Sequence, residues 1–472
     1  MQNYMRRKYW HKYLALTVPF ALSFVFFHTP CKYTAQTAAS AALPAVPDDP
    51  YEASIFGSRS FSNLVVSVVA EEESLYGEET GIISSQYMQR GAESEREIRL
   101  FIYDQDGTPL IRQNAGIRVS GAASRTAPRK SFRIIARKEY DKSFPAFTYD
   151  LWGGRTTVDG RSQPIDKYSS FILHAVRLDA DSTGIHNSVG YELARKAGIV
   201  DASPTTPAAF YINGVYQGAY FLMPAKNDHA IAELYNIADP GQIELVSVFE
   251  GEKTGEQTHP EVLEEYLNFV SFVQNSDVND PSIIAAIERQ MDVEQYLRYC
   301  AVNLLLANGD WSDNNLMVWR CQNNSLPYQD GRWRFFLFDL DWIGSPPELV
   351  ADTFQNLLQT NDNYNLLHNL MENPRWRQQF RDIVYEMEAA AFYMESIEGV
   401  FAREEARMLD EVTYDFQSEA FPTYLQYSVY SDPLTEEDYI TLDDRGLLIE
   451  NFKSNLLKAP EMVNECLRVY LP

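Results

Sequence analysis

Cysteine, zinc-type ligand clusters and positive charge are all scarce in this sequence. Its four cysteines, Cys31, Cys300, Cys321 and Cys466, are too few and too scattered for a disulfide framework. Without Cys31 they allow at most one intramolecular bridge. There is no CxxC and no Cys/His cluster at zinc spacing. Cys300 falls on the apolar side of a helical pattern, where a buried, inert thiol is expected. Lysine and arginine number 40 against 66 aspartates and glutamates, a formal charge of −26. That balance argues against a nucleic-acid partner, because phosphate backbones are bound by clustered cations. The N-terminal apolar run, YLALTVPFALSFVFF, has only 15 residues behind the basic MRRKYWHKY. It is short for a spanning helix and suits the apolar region of an export signal, although a tilted anchor would also fit. Cys31 lacks the small residues that precede a lipidated cysteine. No internal repeat is present.

What is there is globular. Hydrophobic residues make up 45% and aromatics 13%, enough for a substantial core, and 472 residues suggest more than one structural unit. The small, Pro-containing stretch after the apolar run reads as a tether. Residues 1–47 are therefore expected to be leader or anchor plus tether, residues before about Ala45 to add nothing to the core, and the chain to be exported or held at the cell surface. The folded part should open near Asn63 with the strand in NLVVSVV. YINGVYQGAYFLM, with Asn213-Gly214 between alternating runs, predicts a type I′ hairpin. PEVLEEYLNFVSFVQ, PSIIAAIERQ, NPRWRQQFRDIVYEMEAAAFYM and SIEGVFAREEARMLDEVTYDF predict helices, with one or two more in the last stretch.

The densest chemistry lies between Asp292 and Gly344. DVEQYLRYCAVNLLLAN is an amphipathic helix in which Asp292 and Gln295 resemble a capping box. It runs into NGDWSDNNLMVWR, where Asp310 precedes Asn315 by five residues. RWRFFLFDLDWIG then reads as a strand with Trp333, Phe335, Leu337, Asp339 and Asp341 on one side, so that an apolar face ends in two carboxylates about 7 Å apart. An aspartate to orient a hydroxyl, an amide oxygen and carboxylates for Mg²⁺ are what phosphoryl transfer needs, and D-x-x-x-x-N is its protein-kinase spacing. An Asx turn after a helix would account equally well for Asp310, Asp313, Asn314 and Asn315. Upstream, AGIRVSGAASRTAPRKSFRIIARKEY joins alternating residues, a small-residue turn and a cationic strand. It is either a hairpin with a basic solvent face or a phosphate cradle with Lys130 as the ATP lysine and Arg118 and Arg133 beside it.

GIRVSGAASRTAPRKSFRIIARKEY, NGDWSDNNLMVWR and RWRFFLFDLDW, in that order, resemble the CotH kinase family, atypical kinases related to a spore-coat protein. The resemblance extends from about Val65 to the C-terminus and includes YELARKAG and YINGVYQGAYFLM. It implies an α+β, divergent bilobed protein-kinase-like fold, with a β-rich N-lobe over 48–225 and a mostly helical C-lobe over 226–472. It implies ATP with Mg²⁺ or Mn²⁺ as cofactors, and a monomer that phosphorylates Ser or Thr of a surface or extracellular-matrix protein. By motif, Asp310 would be the catalytic aspartate and Asn315, Asp339 and Asp341 the metal ligands. Lys130 would contact ATP beside Gly121, Ser124, Arg125 and Arg118. Glu192 would be the ion-pair partner of Lys130, or else a solvated glutamate on a helix that ends at Gly198.

The sequence also departs from the family. His186-Asn187 stands where members often carry Arg-Asp, and DLDW has no Asp-Phe-Gly to say which acid holds the essential metal. A non-catalytic pseudokinase or surface adhesion module of the same fold is the alternative. A metal-assisted hydrolase is more distant, since two acids on one strand do not face each other across a glycosidic bond.

Overall fold

The computed structural model describes residues 46–176, 183–248, 260–311, 315–322, 326–359, 365–418 and 440–471. Its first half is a closed barrel, produced by strands whose residues alternate between two buried faces. In barrel order these are β1 (Leu64–Val69), β2 (Arg96–Tyr103), β3 (Pro109–Ser120), β4 (Ser131–Ile135), β7 (Ser170–Ala175), β9 (Val215–Pro224) and β8 (Thr206–Ile212). Neighbours are antiparallel except β1 and β8, whose parallel pairing closes the barrel and leaves no free edge. Short strands β5 (Phe147–Thr148) and β6 (Lys167–Tyr168) form a separate ribbon. The Asn213-Gly214 turn has positive φ at both residues, 47° and 76°, as a type I′ hairpin requires.

Val66, Leu100, Ile102, Phe132, Phe171 and Leu222 fill the barrel. Val65, Phe101, Tyr103 and Tyr211 point outward and form a smaller core with Val46, Ile55 and Phe61. Val46 is buried, and its carbonyl accepts from Arg112, so Val46, expected to fall in the tether, belongs to the fold. The rest of the expected leader lies outside the described residues. Among the described residues, no helix is long and apolar enough to cross a membrane.

On a third part of the barrel wall, Ala219, Phe221 and Met223 of β9 pack into one continuous core with the helices. Helices α1 (Glu52–Ser58) and α2 (Glu72–Tyr76) flank the barrel, and α3 (His186–Lys196) and α4 (Asp228–Tyr235) follow β7 and β9. The remainder are α5 (Pro260–Gln274), α6 (Pro281–Gln290), α7 (Val293–Leu305), α8 (Pro347–Gln359), α9 (Leu367–Met371), α10 (Pro374–Ala391), α11 (Met394–Gln417) and α12 (Leu442–Tyr470). The C-terminal stretch is a single helix that runs through Pro460. A small sheet, β10 (Ile243–Val248), β11 (Leu316–Cys321) and β12 (Arg334–Phe335), lies between barrel and helices, its residues divided between the two main cores.

The architecture is mixed α and β, as expected, but a clear two-lobed layout is replaced by a barrel whose outer wall is shared with the helices. The cause is visible in α3, which belongs to the first half of the chain yet buries Val189, Tyr191, Leu193 and Ala194 in the helical core. Buried ion pairs bind α11 to the barrel as well: Arg129 is bidentate to Asp415 at 2.7 and 2.8 Å, and Arg59 meets Glu411 at 2.6 Å.

Candidate functional site

The loop after α7 is built by its own asparagines. Ala307 adopts a left-handed conformation, φ 51°, that ends the helix. Asn308 donates to Asn303 Oδ1 at 2.9 Å and accepts from the Asp310 backbone N–H at 3.1 Å, an Asx turn. The five-residue spacing also closes on itself, because Asn315 Nδ2 donates to Asp310 Oδ2 at 3.0 Å. Asn315 sits at φ 58° just before β11 and is buried, and its Oδ1 has no hydrogen-bond partner. A buried amide oxygen without a partner costs about 1–3 kcal/mol, so an unsatisfied acceptor here points to something it is meant to bind. Asp313 and Asn314 lie outside the described residues.

Backbone hydrogen bonds tie this loop to the acid-bearing segment. Gly309 N–H donates to Trp342 O at 3.0 Å, Gly344 N–H to Leu306 O at 2.9 Å and Ser345 N–H to Ala307 O at 3.0 Å. On the other side, Phe336 N–H donates to Met317 O at 2.9 Å in continuation of β12. The Asp310–Asn315 loop and the Asp339–Asp341 segment therefore meet at one end of the small sheet.

The expected strand through Asp341 stops early. Trp333, Phe335 and Leu337 do face the helical core while Phe336 and Phe338 face the barrel core, so the alternation holds to that point. Asp339 then takes φ 59°, which breaks the period of two and turns the following residues. Asp339 and Asp341 are consequently not equivalent positions on one strand face. The capping box is half made: Asp292 accepts from the Gln295 backbone, but the Gln295 side chain instead brackets Phe335, accepting from its N–H at 2.8 Å and donating to its carbonyl. The Asp292 N–H is already taken by Trp333 O at 3.0 Å.

Asp341 is held from three directions. Asn187 Nδ2 donates to its Oδ1, His174 Nε2 lies 3.5 Å from the same oxygen, and His186 Nδ1 is 2.7 Å from its backbone carbonyl. Asn187 also accepts from Leu340 N–H at 3.2 Å. The residues that replace the Arg-Asp pair thus open α3 and clamp the acid segment. Gly190, one turn on, permits the close approach: a Cβ there would lie 2.7 Å from Ile343 Cδ1. Burial opposes ionisation of both acids, but they diverge. His174, Lys226 and His186 outweigh burial at Asp341 and hold its carboxyl below the usual range. Burial together with the neighbouring Asp341 charge pushes Asp339 up, against the pull of Lys226 and His174. His174 is raised by Asp341 in spite of its burial. A cation at Asp339 would relieve the repulsion that raises it.

The basic segment behaves differently from the phosphate cradle anticipated in the sequence. Lys130 is buried, and its Nζ donates to the carbonyls of Arg125 and Ala127, both at 2.6 Å, over the Tyr87 ring. Burial alone lowers its pKa to about 8. Arg125 is turned the same way, donating to the carbonyls of Gly121, Tyr87 and Gln89. Gly121 has φ 107° and closes on Ser124, while Arg118 faces Glu95 at 3.8 Å. Glu192 pairs with Arg195 and with Arg403 at 2.8 Å instead of Lys130. Here the cations satisfy carbonyls of a tight loop and the acid just before β2, so Lys130 is not brought to the acids and the Lys130–Glu192 pair does not form.

The cation that does act on the acids is Lys226, which sequence reasoning missed. It lies two residues beyond the end of β9 and 4.9 Å from the Phe338 ring centroid, and its charge acts to lower the pKa of both Asp339 and Asp341. Its only signal was position, a lysine two residues after an apolar strand. His174 could have been noticed as the one ionisable residue in SFILHA. Cys300 is buried, its thiol pushed up to about 12, as the inert reading requires, and Cys321 and Cys466 are also buried.

No three His, Cys, Asp or Glu side chains among the described residues are grouped to hold a metal. The donor set present is two carboxylates and one orphaned amide oxygen, all hard oxygen ligands. Such a set suits Mg²⁺ or Mn²⁺ that takes its remaining ligands from phosphate and water.

No curated protein matches the chain. Comparison with protein families matches residues 117–440 to the family described as CotH kinase protein. The match is narrower than the span from Val65 that the resemblance suggested; β1 and β2 precede it. It contains Lys130, His174, Asn187, Lys226, Asp310, Asn315, Asp339 and Asp341, and it covers well over half of the sequence: the chain belongs to the CotH kinase family.

Proposed function

We propose that this chain is an exported, atypical kinase with a divergent protein-kinase fold that transfers the γ-phosphoryl group of ATP to Ser or Thr of a surface or extracellular protein. One observation carries the reading. The unpartnered Asn315 Oδ1 lies beside Asp310, in a loop hydrogen-bonded to the segment that bears the destabilised Asp339. Mg²⁺ or Mn²⁺, when bound, supplies the positive charge that neutralises the phosphates and the transferring group.

Each residue of the chain has a separable task in this reading. Asp310 orients the substrate hydroxyl and accepts its proton. Asn315 fixes Asp310 with its amide nitrogen and offers Oδ1 to the metal. Asp339 is the principal metal ligand, because Asp341 already spends its Oδ1 on Asn187 and His174 and serves to hold the segment in place. The basic, apolar N-terminal run supports export.

The test is incubation of the purified chain with γ-labelled ATP and Mg²⁺ or Mn²⁺, alone and with a surface-protein extract. Label on Ser or Thr that is lost in Asp310→Ala is the expected result. Nucleotide binding without transfer in wild type and variant alike would establish the non-catalytic module instead.

A further inference from the structure

A cleft of about 340 Å³ lies on the outer wall of the barrel, at the low end of the range of about 300–1,000 Å³ usual for ligand pockets. Arg133 and Ile135 of β4, Ser170 of β7, Asn227 and His229 at the start of α4, and Leu245 of β10 line it. None of these residues belongs to the metal set, and the cleft is distinct from the Gly121–Lys130 loop.

Three separate elements run from this cleft to the acids. On β7, Phe171 and Leu173 fill the barrel, so Ser170 and His174 share the outer face. They are four residues apart, about 13 Å, and His174 touches Asp341. On the connection after β9, Asn227 lines the cleft and its neighbour Lys226 acts on Asp339 and Asp341. On β10, Leu245 lines the cleft while Val248, at the strand's far end, pairs with Leu316, the residue after Asn315. An extended nucleoside triphosphate has the matching length. It also has the matching polarity, with a base for the half-apolar cleft and phosphates for the cation and metal ligands.

Lys226 makes no hydrogen bond or ion pair with any described residue. It is half-buried, and it is the lysine nearest in effect to the acids. Lys130 is the opposite case, with its amine committed to two carbonyls over Tyr87, and Tyr220, whose side chain fills the barrel, donates to its own carbonyl at 2.8 Å. Resting on the kinase reading above, we propose that the nucleotide lies in the Arg133–Ser170–Leu245 cleft with its phosphates on Lys226, and that Lys130 is a structural residue of the barrel mouth.

The experiment measures binding of ATP, ADP and adenosine to the full-length chain in the presence of Mn²⁺, for wild type, Lys226→Met and Lys130→Met. Lys226→Met is expected to weaken ATP and ADP tenfold or more and to leave adenosine unchanged, a pattern that a general loosening of the site would not give. Lys130→Met is expected to lower the melting temperature and leave ATP affinity within twofold when measured below it. In parallel, 8-azido-ATP should photolabel peptides containing Ile135 to Arg137, Asn227 to His229 or Leu245. If wild type binds ATP but Lys226→Met binds it equally well, or the label falls in Gly121 to Lys130, the inference fails and the kinase reading stands. If wild type does not bind ATP, both fail.

Discussion

Asp201 offers a sharp test of the packing around the acid segment. It sits between α3 and β8, only 1% exposed, accepts from the Leu337 backbone, and leaves Oδ2 without a partner. Burial pushes its pKa from 3.8 to about 7, against the attraction of Arg155. Between roughly pH 4 and 7 the folded protein therefore keeps a proton that the unfolded chain has released. The folded state binds more protons there, so this group's contribution makes stability fall as pH rises through that window. A shift of about three units corresponds to roughly 4 kcal/mol, fully expressed above pH 7 and absent below about pH 4. Asp201→Asn removes the titration and adds an amide with no ready acceptor, a pH-independent cost of about 1–3 kcal/mol. Urea unfolding of variant and wild type at pH 4.5 and 8 should show the variant gaining on wild type by up to about 4 kcal/mol as pH rises. A difference that stays constant across that range would mean the carboxyl is hydrated or paired in the folded protein, and the reasoning would be wrong.

Other perturbations separate the tasks of neighbouring groups. Asp310→Ala should leave metal-dependent nucleotide binding intact while phosphate transfer falls by orders of magnitude, whereas Asp339→Ala should abolish that binding; calorimetric titration beside the label assay distinguishes them. Asn187→Ala strands the Leu340 N–H and removes a donor from Asp341, so it should cost about 2–4 kcal/mol in chemical denaturation, and Asp339→Asn should stabilise slightly by removing a buried repulsion. Arg129→Met leaves Asp415 charged and buried and should cost about 3–5 kcal/mol, most of it recovered in the double variant that also carries Asp415→Leu. Equal stability of single and double variants would show that Asp415 is protonated or solvated once alone.

Much of this protein was legible from one dimension. The 3.6-residue period placed α5 and α6 with their ends, Asn213-Gly214 could only be a left-handed turn, and Gly198 with φ 86° ends the α3 segment as the sequence required. The family resemblance, the Asp310–Asn315 spacing and the inert Cys300 were equally readable, because each depends on residues close together in the chain. Only the tertiary structure decided how charges were spent. Lys130 and Glu192 carry the residue types of a kinase ion pair, yet a buried amine bonds to whichever acceptors surround it, and those were Arg125 O and Ala127 O. Asp339 and Asp341 look identical in DLDW, but left-handed Asp339 and the clamp of His174, His186 and Asn187 give them opposite pKa shifts. Burial, charge and hydrogen bonding act through space over a few ångströms, and Lys226, His186 and His174, whose charges act on the two acids, stand 113 to 167 positions away from them in the sequence.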